Sequence, residues 1–228
     1  MDETAVGPAP ASAEASEVWL RTANDFLCGL NHALSNRVST LASVFLGGDT
    51  EGSDDDARER LDVETAKVDA LLRLYRLLER SEGAPAEPAR VDDAVSDALA
   101  LLAYHPEVRF VACTASGEGD VPPVLLVPSA LVHALLVLLC AAAERAGPGA
   151  AGIQVHYSGT PEWVTIAVET RAPVPEGQTV EVEELRAVRW LLRSAAIVEA
   201  EARATDGGMR LELRLPTLAN LRRRERGD

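Results

Sequence analysis

Leu20, Leu27, Leu34 and Leu41 recur at intervals of seven residues, with Ala23, Leu30 and Val44 on the neighbouring seam. Heptad spacing of this kind marks a helix that packs against other helices, so residues 16–46 are predicted to form one long helix. The stretch "GGDTEGSDDDARE" then breaks the pattern with glycines, and its serine and aspartates suit the start of a new helix. From Arg58 to Arg80 apolar residues return at Leu61, Val68, Leu71, Tyr75 and Leu78, again in steps of three and four. Two long amphipathic helices joined by a short loop make an antiparallel hairpin. Alone, such a hairpin leaves half of its apolar stripe uncovered. Two copies would complete a four-helix bundle, and a homodimer is the expectation.

"SEGAPAEPAR" is rich in proline, alanine and glycine and reads as a linker over residues 82–90. Beyond it the period changes repeatedly. "VDDAVSDALALLAY" is predicted as a helix, "EVRFVACTA" as a strand, "PPVLLV" as a second short strand and "PSALVHALLVLLCAAAERA" as a strongly apolar helix. "GIQVHYS" with "EWVTIAVET", and "IVEAEARA" with "MRLELRLP" across "TDGG", read as two hairpins on either side of a helix over residues 181–195. Strands with helices stacked on one face give an α/β sandwich, so the fold class is α+β. The expected organisation is a disordered lead-in (1–15), the helical hairpin (16–81), the linker, the sandwich (91–216) and a solvated basic tail (217–228).

Composition removes several classes of function. The formal charge of −14 over 228 residues argues against nucleic acid as the main partner, because phosphate binding needs a concentrated positive surface. The basic run "LRRRERGD" stands at the very end. The three cysteines, Cys28, Cys113 and Cys140, show no metal-type spacing and are expected to be buried thiols in a reducing cytoplasm. No run of 18 or more apolar residues occurs, and the first residues have neither a basic start nor an apolar block. A cytoplasmic location with no membrane span and no secretory signal is therefore the expectation. No nucleophile elbow, carboxylate pair or Walker loop is present.

One polar residue interrupts the first helix in an informative place. With Leu27 and Leu34 on one seam and Leu30 on the other, His32 is predicted to point outward, with Asn36 one turn later on the same side. His105 precedes a proline in a loop, His156 falls on a strand, and His133 lies on the apolar helix as a satisfied, semi-buried residue. "FLCGLNHALSNRVSTLASV" resembles the phosphoacceptor box of bacterial two-component histidine kinases through His32, Leu34, Asn36 and the preceding Phe26. It departs at Ala33, where that family usually has a carboxylate, and at Arg37, where proline is common.

The second half resembles the ATP-binding domain of the same kinases in order and spacing but not in chemistry. The two asparagine positions of its nucleotide helix are Val137 and Ala141 here, and alanine offers no oxygen to a hard cation. The loop usually written Asp-x-Gly-x-Gly is Glu169, Arg171 and Pro173, and the lid segment "VEELRAVRWLLRSAAI" has no glycine. The resemblance therefore implies a histidine phosphotransferase: a dimer that relays phosphoryl groups between response-regulator receiver domains without binding ATP. His32 would be the phosphoacceptor, Asn36 an orienting residue and Arg37 an offset for phosphoryl charge. No cofactor would be needed on this chain, because magnesium would come with the partner receiver domain. Two other readings compete: a non-catalytic dimeric adaptor, and an ATP-dependent kinase with unusual boxes.

Overall fold

The computed structural model describes residues 10–46, 54–79, 83–146, 152–171, 183–195, 197–205 and 208–226. The helical hairpin is α1 (Pro10–Leu46) and α2 (Asp54–Leu78). The sandwich follows as β1 (Glu87–Ala89), α3 (Val91–Leu102), β2 (Cys113–Glu118), β3 (Val124–Leu126), α4 (Pro128–Ala146), β4 (Ile153–Gly159) and β5 (Trp163–Thr170). It closes with α5 (Glu183–Leu191), β6 (Glu199–Thr205), β7 (Gly208–Pro216) and α6 (Leu218–Arg226). The main sheet has the order β2-β4-β5-β7-β6, and only the β2–β4 pair is parallel. β1 and β3 form a separate antiparallel pair.

Alternation decides which face of the sheet is covered. Val164, Ile166, Val168 and Thr170 of β5 and Met209, Leu211, Leu213 and Leu215 of β7 are buried beneath the helices. The residues between them, Glu169, Arg210, Glu212 and Arg214 among them, line the open face and pair there as ions. α4 is the central helix, and every residue from Leu131 to Ala143 is buried. It is long and apolar enough to cross a membrane by length and composition, yet here the sheet, α3, α5 and both hairpin helices pack around it.

Several expectations from the sequence need correcting. α1 starts at Pro10, six residues before the predicted start; its alanine-rich first turns favour helix, proline is tolerated in the first turn, and Ala15 is buried. The predicted linker contains β1, which pairs with β3. Residues 107–111, read as part of a strand, form tight turns, and β2 starts only at Cys113. The supposed solvated tail is α6. Thr217 accepts the Asn220 N–H at 3.0 Å as its cap, and the Asn220 side chain donates to the Glu162 carbonyl at 2.9 Å.

The seam of α1 also differs. The residues it buries within the chain are Val18, Trp19, Thr22, Ala23, Phe26 and Leu30, whereas Leu20 is 63% and Leu27 36% exposed. The reason is that α1 packs on α4 and α5 as well as on α2, so the face it buries is set by three neighbours instead of one. Trp19 stacks on His133 of α4 with ring centroids 4.0 Å apart, and Glu14 pairs with Arg186 of α5 at 3.2 Å. His133, 1% exposed, also places Nε2 2.7 Å from the Leu77 carbonyl at the end of α2. Hairpin and sandwich share one apolar core.

Candidate functional site

His32 lies on the exposed side of α1, at the point where burial of that helix ends. Its Nε2 is 3.3 Å from Nδ2 of Asn36, one turn on. The contact puts the Asn36 amide within hydrogen-bonding reach of the ring, with the donor and acceptor roles set by the tautomer. On the other flank Tyr75 of α2 donates its hydroxyl to Oδ1 of Asn31, which ties the two helices together beside the imidazole.

Arg37 is turned toward α2. Its Nη1 meets Oε2 of Glu64 at 3.3 Å, while Lys67 takes the other carboxylate oxygen at 2.5 Å. The Lys67 hydrogen bond, with the Lys67 and Arg37 charges behind it, holds the Glu64 carboxyl below its ordinary range against the opposing pull of burial. Arg37 is thus engaged with a carboxylate below the imidazole.

The loop between α3 and β2 closes the site from the other side. It approaches α1 so tightly that a Cβ on Gly29 would lie 1.6 Å from the Tyr104 carbonyl oxygen. His105, 5% exposed, sets the shape of this loop: its Nδ1 accepts the N–H groups of Glu107 and Val108, both at 3.2 Å. The same ring stands edge-on to Phe26, and its Nε2 is 3.8 Å from Asp25 of α1. Burial pushes the His105 pKa down, and the nearby Asp25 and Glu107 charges only partly oppose this.

Between α1, α2 and this loop lies an open cleft of about 820 Å³, lined among others by Cys28, His32, Asn36, Arg37, Lys67 and Arg109. Three cations line it, and among the described residues no carboxylate does. The structure therefore gathers His32, Asn36 and Arg37 into one cleft and adds Lys67 and Arg109, which the sequence reading passed over. One signal for the loop was present: a glycine inside an apolar helix costs about 1 kcal/mol relative to alanine, so Gly29 marks a close approach. Cys28 was expected to be buried and is exposed on the cleft side, while Cys140 is buried and Cys113 half-buried. Burial raises the Cys113 thiol to about 11.

The positions that would hold a nucleotide tell a different story. Val137 and Ala141 are each 1% exposed, packed within the core and without oxygen to offer. Glu169, at the aspartate position of that loop motif, is turned by strand alternation to the open face of the sheet, 2.6 Å from Arg210. Arg171 is exposed, and Pro173 lies outside the described residues. Most of the glycine-free lid segment is α5, tied to α4 by Arg145–Glu184 at 2.9 Å and overlaid by α1. Among the described residues, the two positions of α4 thus supply no oxygen to a magnesium ion, and Glu169 is taken up by Arg210.

No protein-family model and no curated protein matches the sequence. Solved structures do match in shape. The catalytic domain of the histidine kinase ThkA, in a nucleotide-free form, superposes with a TM-score of 0.50 at 12% identity over 59% of this chain and 98% of its own. The histidine kinase AdeS of Acinetobacter baumannii gives 0.47 at 11% identity over 82% of this chain and 98% of its own. ThkA in complex with the response regulator TrrA gives 0.49 at 10% identity, over 88% of this chain and 63% of that one. The likeness to the ThkA catalytic domain is one of fold: the α/β sandwich of this chain is built on the architecture of a histidine-kinase catalytic domain.

Proposed function

We propose that the chain is a histidine phosphotransferase that passes phosphoryl groups between response-regulator receiver domains through His32, without ATP. The observation that carries this reading is the His32 imidazole, exposed on α1 beside Asn36, with a cation-lined cleft around it. In the forward step the Nε2 lone pair attacks the phosphorus of a receiver's phosphoaspartate in line. The N–P bond forms, the P–O bond to the acyl group breaks, and its electron pair restores the aspartate carboxylate. The Nδ1 proton then leaves to water. Transfer to a second receiver reverses these bonds. The magnesium ion such transfer uses would sit in the receiver's own acidic pocket, where it offsets phosphoryl charge. Among the described residues no cluster of three or more His, Cys, Asp or Glu side chains is placed to hold a metal. Asn36 orients the ring from one turn further along α1, and Arg37 and Lys67 bring positive charge to the cleft.

The packing supports two further parts of the proposal. A kinase must carry its nucleotide domain to the phosphoacceptor, but here Trp19, Phe26 and Leu30 of the acceptor helix belong to the core of that domain. Any such excursion would expose them. A dimer is supported by Leu20, Leu27, Val38 and Phe45, all at least 36% exposed and all on one stripe of α1. That stripe lies about a third of a turn away from His32, so a second copy seated on it leaves the cleft open.

Receiver domains carrying labelled phosphate on aspartate test the proposal. The wild type should acquire acid-labile, base-stable label and His32→Ala should acquire none. Label retained by His32→Ala, or absent from the wild type with every receiver, overturns it. In the second case, binding that persists would favour the adaptor reading. Titration calorimetry with ATP and magnesium should show no binding; a micromolar affinity would overturn the nucleotide-free part.

A further inference from the structure

We propose that the sandwich, having lost its nucleotide residues, serves as the second wall of the His32 cleft, and that Arg109 and Phe110 on this wall grip the acidic face of the receiver. This inference rests on the phosphotransfer reading and names what in this chain recognises the partner.

The wall is built and held. Gly29 lets the Tyr104 carbonyl approach α1 one turn before His32, and the His105 ring pins two loop N–H groups while packing on Phe26. Val108 is buried, and backbone bonds from Arg109 to His105 and from Val111 to Val108 close the turns. At the outer end of this loop stand two exposed side chains, Arg109 and Phe110. Phe110 is 79% exposed, and the Arg109 guanidinium lies 4.6 Å over its ring.

Charge distinguishes Arg109 from the other cations of the cleft. Arg37 and Lys67 share the Glu64 carboxylate. Arg109 lines the same cleft and, among the described residues, has no carboxylate within ion-pair distance. On a chain of net charge −14, a cleft lined by three cations, two of them sharing the single Glu64 carboxylate, keeps a surplus of positive charge and selects an anionic guest. A receiver's phosphorylation site is such a guest, because it presents carboxylates and an acyl phosphate together. A guanidinium meets both in bidentate fashion. An exposed aromatic beside an arginine is also the composition of a protein-contact anchor, and Phe110 would pack on the apolar rim of the same receiver.

The experiment uses the full chain, with the receiver domains encoded in the same genome phosphorylated on aspartate by radiolabelled acetyl phosphate. Receiver affinity and phosphotransfer rate are measured for wild type, Arg109→Ala, Arg109→Lys and Phe110→Ala. Both residues are on the surface, so these variants should fold; circular dichroism checks this. Arg109→Ala should raise Kd by about tenfold to a hundredfold, Phe110→Ala by about tenfold, and Arg109→Lys by less than the alanine change. Wild-type affinity should fall with added salt more steeply than that of Arg109→Ala. If both alanine variants bind and transfer like the wild type, the wall has no part in recognition and the inference falls, while labelling of His32 still stands. If instead binding depends on Arg109 but no label reaches His32, the wall is upheld and the phosphotransfer reading fails.

Discussion

The two halves of α1 have opposite fates. Residues 15–30 bury Ala15, Val18, Trp19, Ala23, Phe26 and Leu30 to less than 9% exposure, while from residue 31 to residue 46 no side chain is fully buried. Both halves carry apolar residues; they differ in what those residues meet. The first half has a tryptophan that matches His133, a phenylalanine that matches His105 and a glycine that admits the Tyr104 carbonyl. The second half is tied to α2 through Asn31–Tyr75 and Arg37–Glu64 and leaves Val38 and Phe45 in solvent. A helix rooted at one end and free at the other cannot act as a hinge at its root. His32 stands at the transition, near enough to the root to have a fixed cleft and far enough along to stay open.

The largest test of this contrast is to truncate one aromatic in each half. Trp19→Ala should destabilise the chain by about 3–5 kcal/mol, as for other buried aromatics. Phe45→Ala, at 75% exposure, should change monomer stability by about 0.5 kcal/mol or less. Urea unfolding at low protein concentration measures both, and equal losses would show that the root is not where the structure puts it. A smaller effect is expected one turn before His32. Gly29→Ala improves helix propensity by about 1 kcal/mol, but its Cβ must displace a backbone carbonyl now 1.6 Å away. Strain of about 1–3 kcal/mol should win, with faster amide exchange in residues 104–111. An alanine variant that is more stable than wild type would mean the loop yields freely.

The periodic parts of the molecule were legible and the junctions were not. α4 was read to the residue and both antiparallel hairpins were placed, because an apolar run and a two-residue alternation depend only on local burial. The heptad of leucines reads as a packing face shared between the hairpin and a second copy, and nothing in it announces that the sandwich also packs on α1. Periodicity shows that a face is apolar; it does not say whether α2, the sandwich or a second copy covers it. The outward direction of His32 followed from spacing, since it holds for any choice of neighbour on the other side. The cleft itself could not be seen. It needs Gly29, Lys67 and Arg109 from three separate elements, and the "EVRF" stretch has a strand-like composition although its turns come from one imidazole accepting two backbone N–H groups.

The smallest expected effect concerns that imidazole. His105 is buried with Nδ1 facing two N–H donors, so protonating it would cost both hydrogen bonds and bring a charge out of water. Burial is the largest cause of its lowered pKa, with the Asp25 and Glu107 charges opposing. The folded-state value therefore lies below the unfolded value of about 6.5. As pH falls, the unfolded chain takes up the proton first. Stability should be fully present above about pH 6.5, decline as pH drops toward the folded-state pKa, and cease to change on this account below it. His105→Gln removes the titration, so its urea midpoint should vary less between pH 7 and pH 5 than that of the wild type. In the wild type, the protection factor of the Val108 amide, its exchange rate relative to the intrinsic rate at each pH, should fall over the same interval, because its N–H loses its acceptor when Nδ1 is protonated. If Val108 stayed equally protected at pH 5 and pH 7, the ring would not be what holds the wall of the cleft against α1.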